Sequence, residues 1–303
     1  MNSGGKKIIA AFAAVYILWG STYLAIRFAI ETLPPLLMSG VRFVIAGGLL
    51  FGFMALKGEK RPTARQWRAT AVIGALLLLG GNGGVVYAEE RGVASGLTAL
   101  LVATVPIWMA LLDWKSRGRL NPGMRVNLGL TMGFAGVALL VLQDGVAGVH
   151  IDAIGAVSLF GASLSWAYGS IWARTADLPR SSLQTTGMQL LMGGLWLCMA
   201  GLVKGEAAHM GAAAWSLRSV ASFFYLIFFD SIIGYSAYIY ILKMSSPATV
   251  GTYAYVNPAI AVFLGWALAG EKVTGVTILA AVIIIASVAL ITMRPREAPA
   301  PVR

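Results

Sequence analysis

The chain of 303 residues is 58% hydrophobic and only 12% charged, and its mean hydropathy is +0.78, which excludes an ordinary soluble domain. A net charge of +11 would suit nucleic acid, but the distribution of the basic residues favours a bilayer instead. We therefore predict an all-α integral membrane protein in contact with the lipid bilayer and without a nucleic-acid partner.

Apolar runs long enough to cross a hydrocarbon core of ~30 Å, which takes ~20 helical residues, occur ten times along the chain. Their predicted limits are 8–28, 35–56, 69–88, 93–113, 126–142, 154–173, 183–203, 219–242, 247–269 and 274–292. The links between them are short, so no room is left for a soluble catalytic domain.

The basic residues predict the orientation. With an inner N terminus and ten crossings, 17 of the 23 lysines and arginines lie on the inner side. The outer side holds five, namely Arg27, Arg91, Lys204, Arg218 and Lys272. Because lysine and arginine in short links favour the cytoplasmic side, we expect both termini in the cytoplasm.

Groups for chemistry are scarce. Cys198 is the single cysteine, and the two histidines, His150 and His209, lie in separate outer links. Neither a disulfide framework nor a metal site is indicated, and no span holds a carboxylate pair for catalysis. We expect no cofactor, no metal and no enzymatic activity.

The first two spans carry polar residues in apolar surroundings. Span one contains Trp19, Ser21, Thr22 and Tyr23, which either pack against a neighbouring helix or line a cavity. Span two contains Arg42, whose burial costs ~2.5–3.5 kcal/mol at a helix centre, so it needs a partner. An interhelical clamp is favoured over contact with a substrate. Gly48-x-x-x-Gly52 in the same span is a close-packing motif.

Span three carries four glycines around Asn82, in 80–84, and then Tyr87 and Glu89. The glycines predict local unwinding or very close packing, and Asn82 is a candidate for a cavity wall. For Glu89 two interpretations are open. It binds a cation or proton near the outer mouth, or it is a boundary carboxylate paired with Arg91.

Span four, with Thr104, Pro106 and Trp108, is repeated later in the chain. A shift of 152 residues places Pro258 of span nine under Pro106. The repeat predicts two units, residues 1–145 and 146–303, the second ending in a short cytoplasmic tail. Because five spans is an odd number, the second unit is inverted in the membrane. Each proline frees a carbonyl and is a candidate bend point for gating.

The second half supplies further polar and aromatic residues, including Asp230 in span eight. Asp230 lies close to the midplane, so it pairs with Arg42, binds protons in exchange for substrate, or contacts a substrate amine; the first is favoured. The residues predicted to bind substrate are Trp19, Ser21, Thr22, Tyr23, Asn82, Tyr87, Thr104, Trp108, Trp166, Tyr168, Tyr235, Tyr238, Tyr253 and Asn257.

Three stretches carry a family resemblance: LWGSTYLAIRFAIETLPPLLMSGVRFVIAG (18–47), YAEERGVASGLTALLVATVPIWMALL (87–112) and SSPATVGTYAYVNPAIAVFLGWALAGEKVT (245–274). They resemble the EamA family of the drug/metabolite transporter superfamily, and within it the YedA-like exporters. The resemblance implies ten helices in two inverted five-helix repeats, with a central cavity walled chiefly by spans one, three, four, six, eight and nine. The family pattern has a small uncharged residue at Asp230, so the resemblance implies no role for it.

The resemblance also implies export of small metabolites, amino acids or amphiphilic drugs, across the bacterial cytoplasmic (inner) membrane. We therefore expect a secondary transporter that works by alternating access on a small-molecule substrate. A passive facilitator or channel and an intramembrane lipid-handling protein are alternatives. Proton coupling is open, and so is the choice between a monomer and a homodimer.

Overall fold

The computed structural model describes residues 3–116, 124–142, 152–209, 215–245 and 247–292, and within these ranges every regular element is helical. The elements are α1 (Ser3–Ala29), α2 (Pro35–Leu56), α3 (Ala64–Glu90), α4 (Ser95–Val102 and Val105–Ser116), α5 (Met124–Leu142), α6 (Ala153–Ala173), α7 (Ser182–Val203), a short 3-10 turn (Glu206–His209), α8 (Leu217–Met244), α9 (Pro247–Val250 and Tyr253–Ala269) and α10 (Gly275–Thr292). The predicted boundary between the halves and the predicted tail lie outside the described residues.

The all-α membrane class is confirmed for the described part of the chain. Helices α1, α2, α3, α6, α7 and α8 are long and apolar enough to cross a membrane. Shorter apolar segments lie in α4, α5, α9 and α10, at Ser95–Met109, Asn127–Leu139, Val256–Ala269 and Gly275–Leu290. Helix limits agree with the predicted spans to within five residues at each end, because apolar length is read directly from sequence.

Side-chain caps fix where several helices begin. Thr63 and Gln66 form a capping box at the start of α3, with Gln66 N donating to Thr63 Oγ1 over 3.2 Å. Asp152 Oδ2 accepts from Gly155 N at the start of α6 over 2.7 Å, and Ser216 caps α8. Each cap satisfies backbone donors that the first turn of a helix leaves free.

Two helices, α4 and α9, are interrupted. The proline predicted as a bend point lies next to the interruption in α4 but not in α9. α4 breaks at Ala103 and Thr104, directly before the piece that carries Pro106 in its first turn, where a missing N–H costs little. α9 breaks between Val250 and Tyr253, whereas Pro258 lies inside the following helical piece. A break and a proline therefore adjoin in α4 but are separated in α9.

α3 and α8 each contain a π-helical stretch. These stretches are Ala75–Asn82 in α3 and Leu226–Gly234 in α8. A shift of about 152 residues, the offset between the two prolines, brings them into register. α3 is therefore widened but not unwound at this point, and wide turns of this kind often occur at functional sites.

The glycines of the α3 run also permit close packing. A Cβ added at Gly81 would lie 2.6 Å from the Trp166 ring of α6, and one at Gly84 would lie 2.8 Å from Ala162 Cβ. Of the two alternatives predicted for this run, close packing is therefore the one that the structure shows, since α3 stays helical through the glycines.

Helix pairing repeats along the chain. α1 packs against α8 and α9, and α6 packs against α3 and α4; α2 packs against α7, and α5 against α10. The pairings repeat at an interval of five helices. The contact of α1 with α8 corresponds to that of α6 with α3, and the contact of α1 with α9 corresponds to that of α6 with α4. The pairs α2 with α7 and α5 with α10 each correspond to themselves. Two equivalent sets of helices would produce this arrangement.

Glycines bring α2 and α7 into backbone contact. A Cβ at Gly40 would lie 2.7 Å from Cys198 N, and one at Gly47 would lie 2.6 Å from Leu191 N. By contrast, nothing lies within 4 Å of a Cβ at Gly48 or Gly52. The predicted close-packing role of Gly48-x-x-x-Gly52 is therefore wrong, because the helix presents its other glycine face to α7.

We predict that Gly47→Ala lowers the stability of the folded protein by ~1–3 kcal/mol, the usual cost of overpacking, since its methyl group meets backbone atoms that cannot move aside. Gly48→Ala is the matched control on the adjacent residue, where the methyl group enters open space. Thermal unfolding is measured in detergent, and its readout is the fraction of protein that keeps its monodisperse elution peak after heating. Equal melting temperatures for the two variants would contradict the glycine contact.

Candidate functional site

The two ends of the helix bundle are named by their residues. The proximal end carries the start of α1 and the residues Arg174 and Lys243. The distal end carries Arg27, Glu89 and Glu271. α1 runs from proximal to distal and α2 runs back, so the succession of helices places each side chain at a depth between the ends.

A cavity lies in the middle of the bundle and has a volume of about 70 Å³, measured as the space open to the centre of a water molecule. Its walls come from α1, α3, α4, α6, α8 and α9, the helices that the resemblance implies, with one residue from α2. The lining residues are Trp19, Thr22, Tyr23, Ile26, Phe43, Leu78, Gly81, Asn82, Val85, Val102, Val105, Ala162, Trp166, Asp230, Tyr235 and Tyr253. Aromatic and aliphatic side chains dominate this wall.

A buried ion pair borders the cavity. Arg42 Nη1 donates to Asp230 Oδ2 over 2.6 Å, and Arg42 Nη2 donates to Asn82 Oδ1 over 3.1 Å. Thr22 Oγ1 donates to the other carboxylate oxygen, Asp230 Oδ1, over 3.2 Å. The pairing favoured from the sequence is therefore present, and it joins α1, α2, α3 and α8.

The pair is almost removed from solvent. The side chain of Arg42 is 0% exposed and that of Asp230 is 9% exposed, and the guanidinium carbon lies 4.3 Å from the centre of the Phe43 ring. An isolated charge at this depth would be very costly, and the pair is tolerated because each charge has an opposite neighbour and further hydrogen bonds. Asp230 thus presents a neutralised carboxylate to the cavity.

An aromatic cluster, formed by Trp19, Trp166, Tyr238 and Tyr253, bounds the cavity on its proximal side. Trp19 lies at the centre, with ring centroids 4.8 Å from Tyr238, 5.5 Å from Trp166 and 5.6 Å from Tyr253. Trp166 Nε1 donates to the hydroxyl of Tyr238 over 3.0 Å. Tyr238 is fully buried behind the wall, and it orients Trp166.

Seven of the residues predicted to bind substrate line the cavity, and the other seven lie elsewhere. Those in the lining are Trp19, Thr22, Tyr23, Asn82, Trp166, Tyr235 and Tyr253. Besides Tyr238 in the aromatic cluster, the others are Ser21, Tyr87, Thr104, Trp108, Tyr168 and Asn257.

These remaining residues make other contacts. Ser21 shares a hydrogen bond of 2.6 Å with the Tyr225 hydroxyl, and Thr104 donates to Leu101 O over 2.8 Å within α4. Trp108 packs edge-on against Phe134 and Phe160. None of these contacts faces the cavity.

The last three divide between the interior and the periphery. Asn257 is buried, and its amide lies 3.0 Å from Tyr16 O and 3.2 Å from Tyr253 O when its nitrogen is turned toward them. Tyr87 lies under Lys204 and Arg91 at the distal end. Tyr168 is 53% exposed on the outer surface of α6.

Sequence reasoning missed the apolar part of the wall. Ile26, Phe43, Val85, Val102 and Val105 line the cavity, yet in an apolar span nothing distinguishes them from residues facing lipid. Gly81 was detectable, because it belongs to the glycine run of α3.

A carboxylate fastens the distal end. Glu271 Oε1 accepts from Arg27 Nη1 over 2.8 Å and from Ser95 N and Oγ over 2.8 and 2.7 Å, and Oε2 accepts from Gly96 N over 3.0 Å. We call this set the distal latch. It joins the end of α1 to the start of α4 and to the segment after α9.

Glu89 does not pair with Arg91, so that interpretation is wrong. Arg91 turns instead toward Asp152 at the start of α6 and binds it through both Nε and Nη2, the latter over 2.8 Å. The Arg91 guanidinium, helped by Gly155 N, lowers the pKa of Asp152 to about 2. Arg91 is therefore engaged, while Glu89 is buried at 6% exposure.

The sequence matches the EamA-like transporter family over residues 6–142 and 153–293. It is 38% identical over 286 residues to the inner membrane transporter YedA of Escherichia coli (strain K12), covering 94% of this chain and 90% of that one. It is 25% identical over 284 residues to the transporter YvbV of Bacillus subtilis (strain 168), covering 94% and 91% of the two chains.

A more distant relative carries a more specific name. A probable amino-acid metabolite efflux pump of Escherichia coli (strain K12) is 23% identical over 288 residues, covering 89% of each chain. Among solved structures, one crystal structure of a protein with 16% identity has a TM-score of 0.65, covering 94% of this chain and 96% of that one. That last likeness concerns the fold alone.

We predict that Asp230→Asn lowers the yield of folded protein sharply, because removing one partner of a buried pair costs ~3–5 kcal/mol. Neutralising both partners, in Arg42→Gln with Asp230→Asn, should restore part of the yield. Asp177→Asn is the control, since its pair with Arg65 is exposed and such pairs contribute ~0–1 kcal/mol. A normal yield for Asp230→Asn alone would show that the pair does not support the fold.

Proposed function

Because the chain belongs to the EamA-like transporter family, we propose that it is a secondary transporter that exports small organic solutes from the cytoplasm across the bacterial inner membrane by alternating access. The names of its relatives point to transport rather than to an enzyme. The observation that carries the proposal is the central aromatic cavity, which lies beside a buried ion pair and between two differently fastened ends.

The proposed architecture is ten crossings in two inverted repeats, with both termini in the cytoplasm. Three observations support it. Family similarity falls in two stretches, residues 6–142 and 153–293, the helix pairings recur at an interval of five helices, and π-helical stretches recur in α3 and α8. Inverted repeats place a binding site between them, near the midplane, and the cavity is lined by helices of both proposed repeats.

The proposed substrates are amphiphilic or zwitterionic solutes with an apolar group, such as apolar amino acids. The rings of Trp19, Trp166 and Tyr253 offer apolar faces that also attract cations. Asp230 and Asn82 supply the polar atoms that would orient the solute. The named amino-acid efflux pump among the relatives supports this class.

Alternating access requires the two ends to open in turn. The proposed proximal barrier is the aromatic cluster, and the proposed distal barrier is the distal latch. The interruptions of α4 and α9 give each of these cavity-lining helices a joint at which its halves can reorient. Pro106 and Pro258 are proposed to assist this bending, since neither residue can donate the backbone hydrogen bond that would stiffen the helix.

Counterflow in proteoliposomes tests the function. Vesicles loaded with unlabelled solute should accumulate the labelled form transiently and saturably, as a carrier does and a channel does not. A suitable panel contains phenylalanine and leucine as apolar amino acids, glutamate and lysine as charged ones, and ethidium as an amphiphilic cation. Absence of counterflow with every member would count against the proposed substrate class, and chemical change of a solute would revive an enzyme.

In this assay we predict that Trp166→Ala impairs counterflow, because the indole forms part of the cavity wall. Tyr168→Ala is the matched control two residues away on the same helix, where the ring lies on the outer surface. Folded yield is measured in parallel by size exclusion. Equal transport by the two variants at equal yield would show that the wall residue does not contact substrate.

We also predict that Pro106→Ala slows exchange more than it weakens binding, because alanine allows hydrogen bonding across the interruption of α4. Pro258→Ala should have the smaller effect, since that proline lies within a continuous helical piece. Exchange rates come from counterflow time courses and binding from solute-induced thermal stabilisation. Unchanged exchange in both variants would exclude bending at these prolines.

A further inference from the structure

Glu89 occupies an unusual position at the end of α3. Its side chain is buried, and both of its carboxylate oxygens lack a hydrogen-bond partner in the protein. The two residues after it are engaged, Glu90 with Lys204 over 2.7 Å and Arg91 with Asp152. Among the carboxylates that the structure describes, Glu89 is the one with both oxygens buried and unpartnered.

The charged groups that act on Glu89 come from several helices, and the cations among them already form ion pairs with other carboxylates. Arg27 of α1 and Arg42 of α2 act on Glu89 as cations, and Glu271 acts on it as an anion. Arg27 is bound by Glu271, however, and Arg42 is bound by Asp230. Tyr23 of α1 also lies within the field of Glu89.

This region therefore has an excess acid. Leaving aside Arg91 and Lys204, which are bound by Asp152 and Glu90, the described groups that act on Glu89 and Asp230 make three carboxylates, Glu89, Asp230 and Glu271, and two guanidinium groups, Arg27 and Arg42. Arg27 pairs with Glu271 and Arg42 pairs with Asp230, so neither cation forms an ion pair with Glu89. A bare anion without hydrogen bonds is strongly disfavoured in an interior, so the arrangement is electrically balanced when Glu89 carries a proton.

Glu89 is also placed to communicate with the cavity. Val85, which lines the cavity, precedes it by four residues in an α-helical segment, so the two side chains lie on the same face one turn apart. On the other side of Glu89 is the distal latch. The carboxyl group thus lies between the cavity and the distal latch.

We propose that Glu89 is the proton-binding residue of this transporter and that it couples solute export to proton entry, an inference that rests on the proposed function. When the distal end is open, the Glu89 carboxylate takes a proton from water and becomes a neutral carboxyl group. Only this neutral form is buried again when the distal latch closes. When the proximal end opens, the O–H bond breaks and the proton passes to water through the cavity.

Binding of the proton is tested without any solute. Infrared spectra of the purified protein at neutral pH should contain the C=O stretch of a protonated carboxylic acid. Glu89→Gln should remove this band, whereas the adjacent control Glu90→Gln should keep it. Persistence of the band in Glu89→Gln would overturn the proposal.

Stability provides a second solute-free measurement. Raising the pH should destabilise the wild type, because deprotonation leaves an unpartnered anion in the interior. Glu89→Gln should lose this sensitivity, and Glu90→Gln should retain it. Parallel pH profiles for the wild type and Glu89→Gln would also overturn the proposal.

Coupling is tested with the counterflow panel. A pH gradient should drive uphill transport by the wild type and by Glu90→Gln, whereas Glu89→Gln should lose gradient-driven transport and retain counterflow. Gradient-driven transport by Glu89→Gln would refute the coupling. Failure of counterflow in every protein would refute the proposed function and the coupling with it, while the infrared result on the proton site would stand.

Discussion

The Arg42 and Asp230 pair is the interaction on which the rest of the interior depends. A guanidinium with no exposed surface requires a carboxylate at a fixed place, and the 2.6 Å contact sets the separation of α2 and α8 at that depth. Asn82 and Thr22 extend the constraint to α3 and α1. Because these four helices also line the cavity, its shape on this side follows from the need to neutralise one buried charge.

The two ends of the bundle are fastened by different physics. At the aromatic cluster, rings make short-range contacts that depend on apolar burial and respond little to salt or pH. At the distal latch, the Glu271 carboxylate accepts hydrogen bonds from an arginine and from backbone N–H groups. The strength of these charge-assisted hydrogen bonds depends on hydration and on the protonation of Glu271. One chemical signal can therefore loosen one end and leave the other in place, which is what the proposed alternating access requires.

Much of the fold follows from sequence, because a membrane requires long apolar runs and their ends are marked by caps, prolines and charges. Depth along a helix was predictable too, which is why Arg42 and Asp230 were recognisable as partners. The facing of a side chain was not: Tyr168 and Trp166 are two residues apart in the same apolar span, yet one is on the outer surface and the other in the cavity wall. The partner of Arg91 is Asp152, the residue that caps α6 and lies 61 residues later in the chain. The local sequence around Arg91 carries no information about such a distant contact.

The π-helical stretch of α3 has a consequence for how the chain tolerates change in length. A π turn accommodates an additional residue relative to an α-helix, so deleting one residue within Ala75–Asn82 allows the segment to revert to regular α-helix. Each residue of an α-helix turns the following part by roughly 100°, so the same deletion in an α-helical part of α3 would rotate the side chains beyond it. Within the π-helical stretch the wide turn loses its extra residue instead, and the distal part of α3 keeps its facing. This stretch is therefore the part of α3 where the helix can be shortened by one residue while Val85 still faces the cavity.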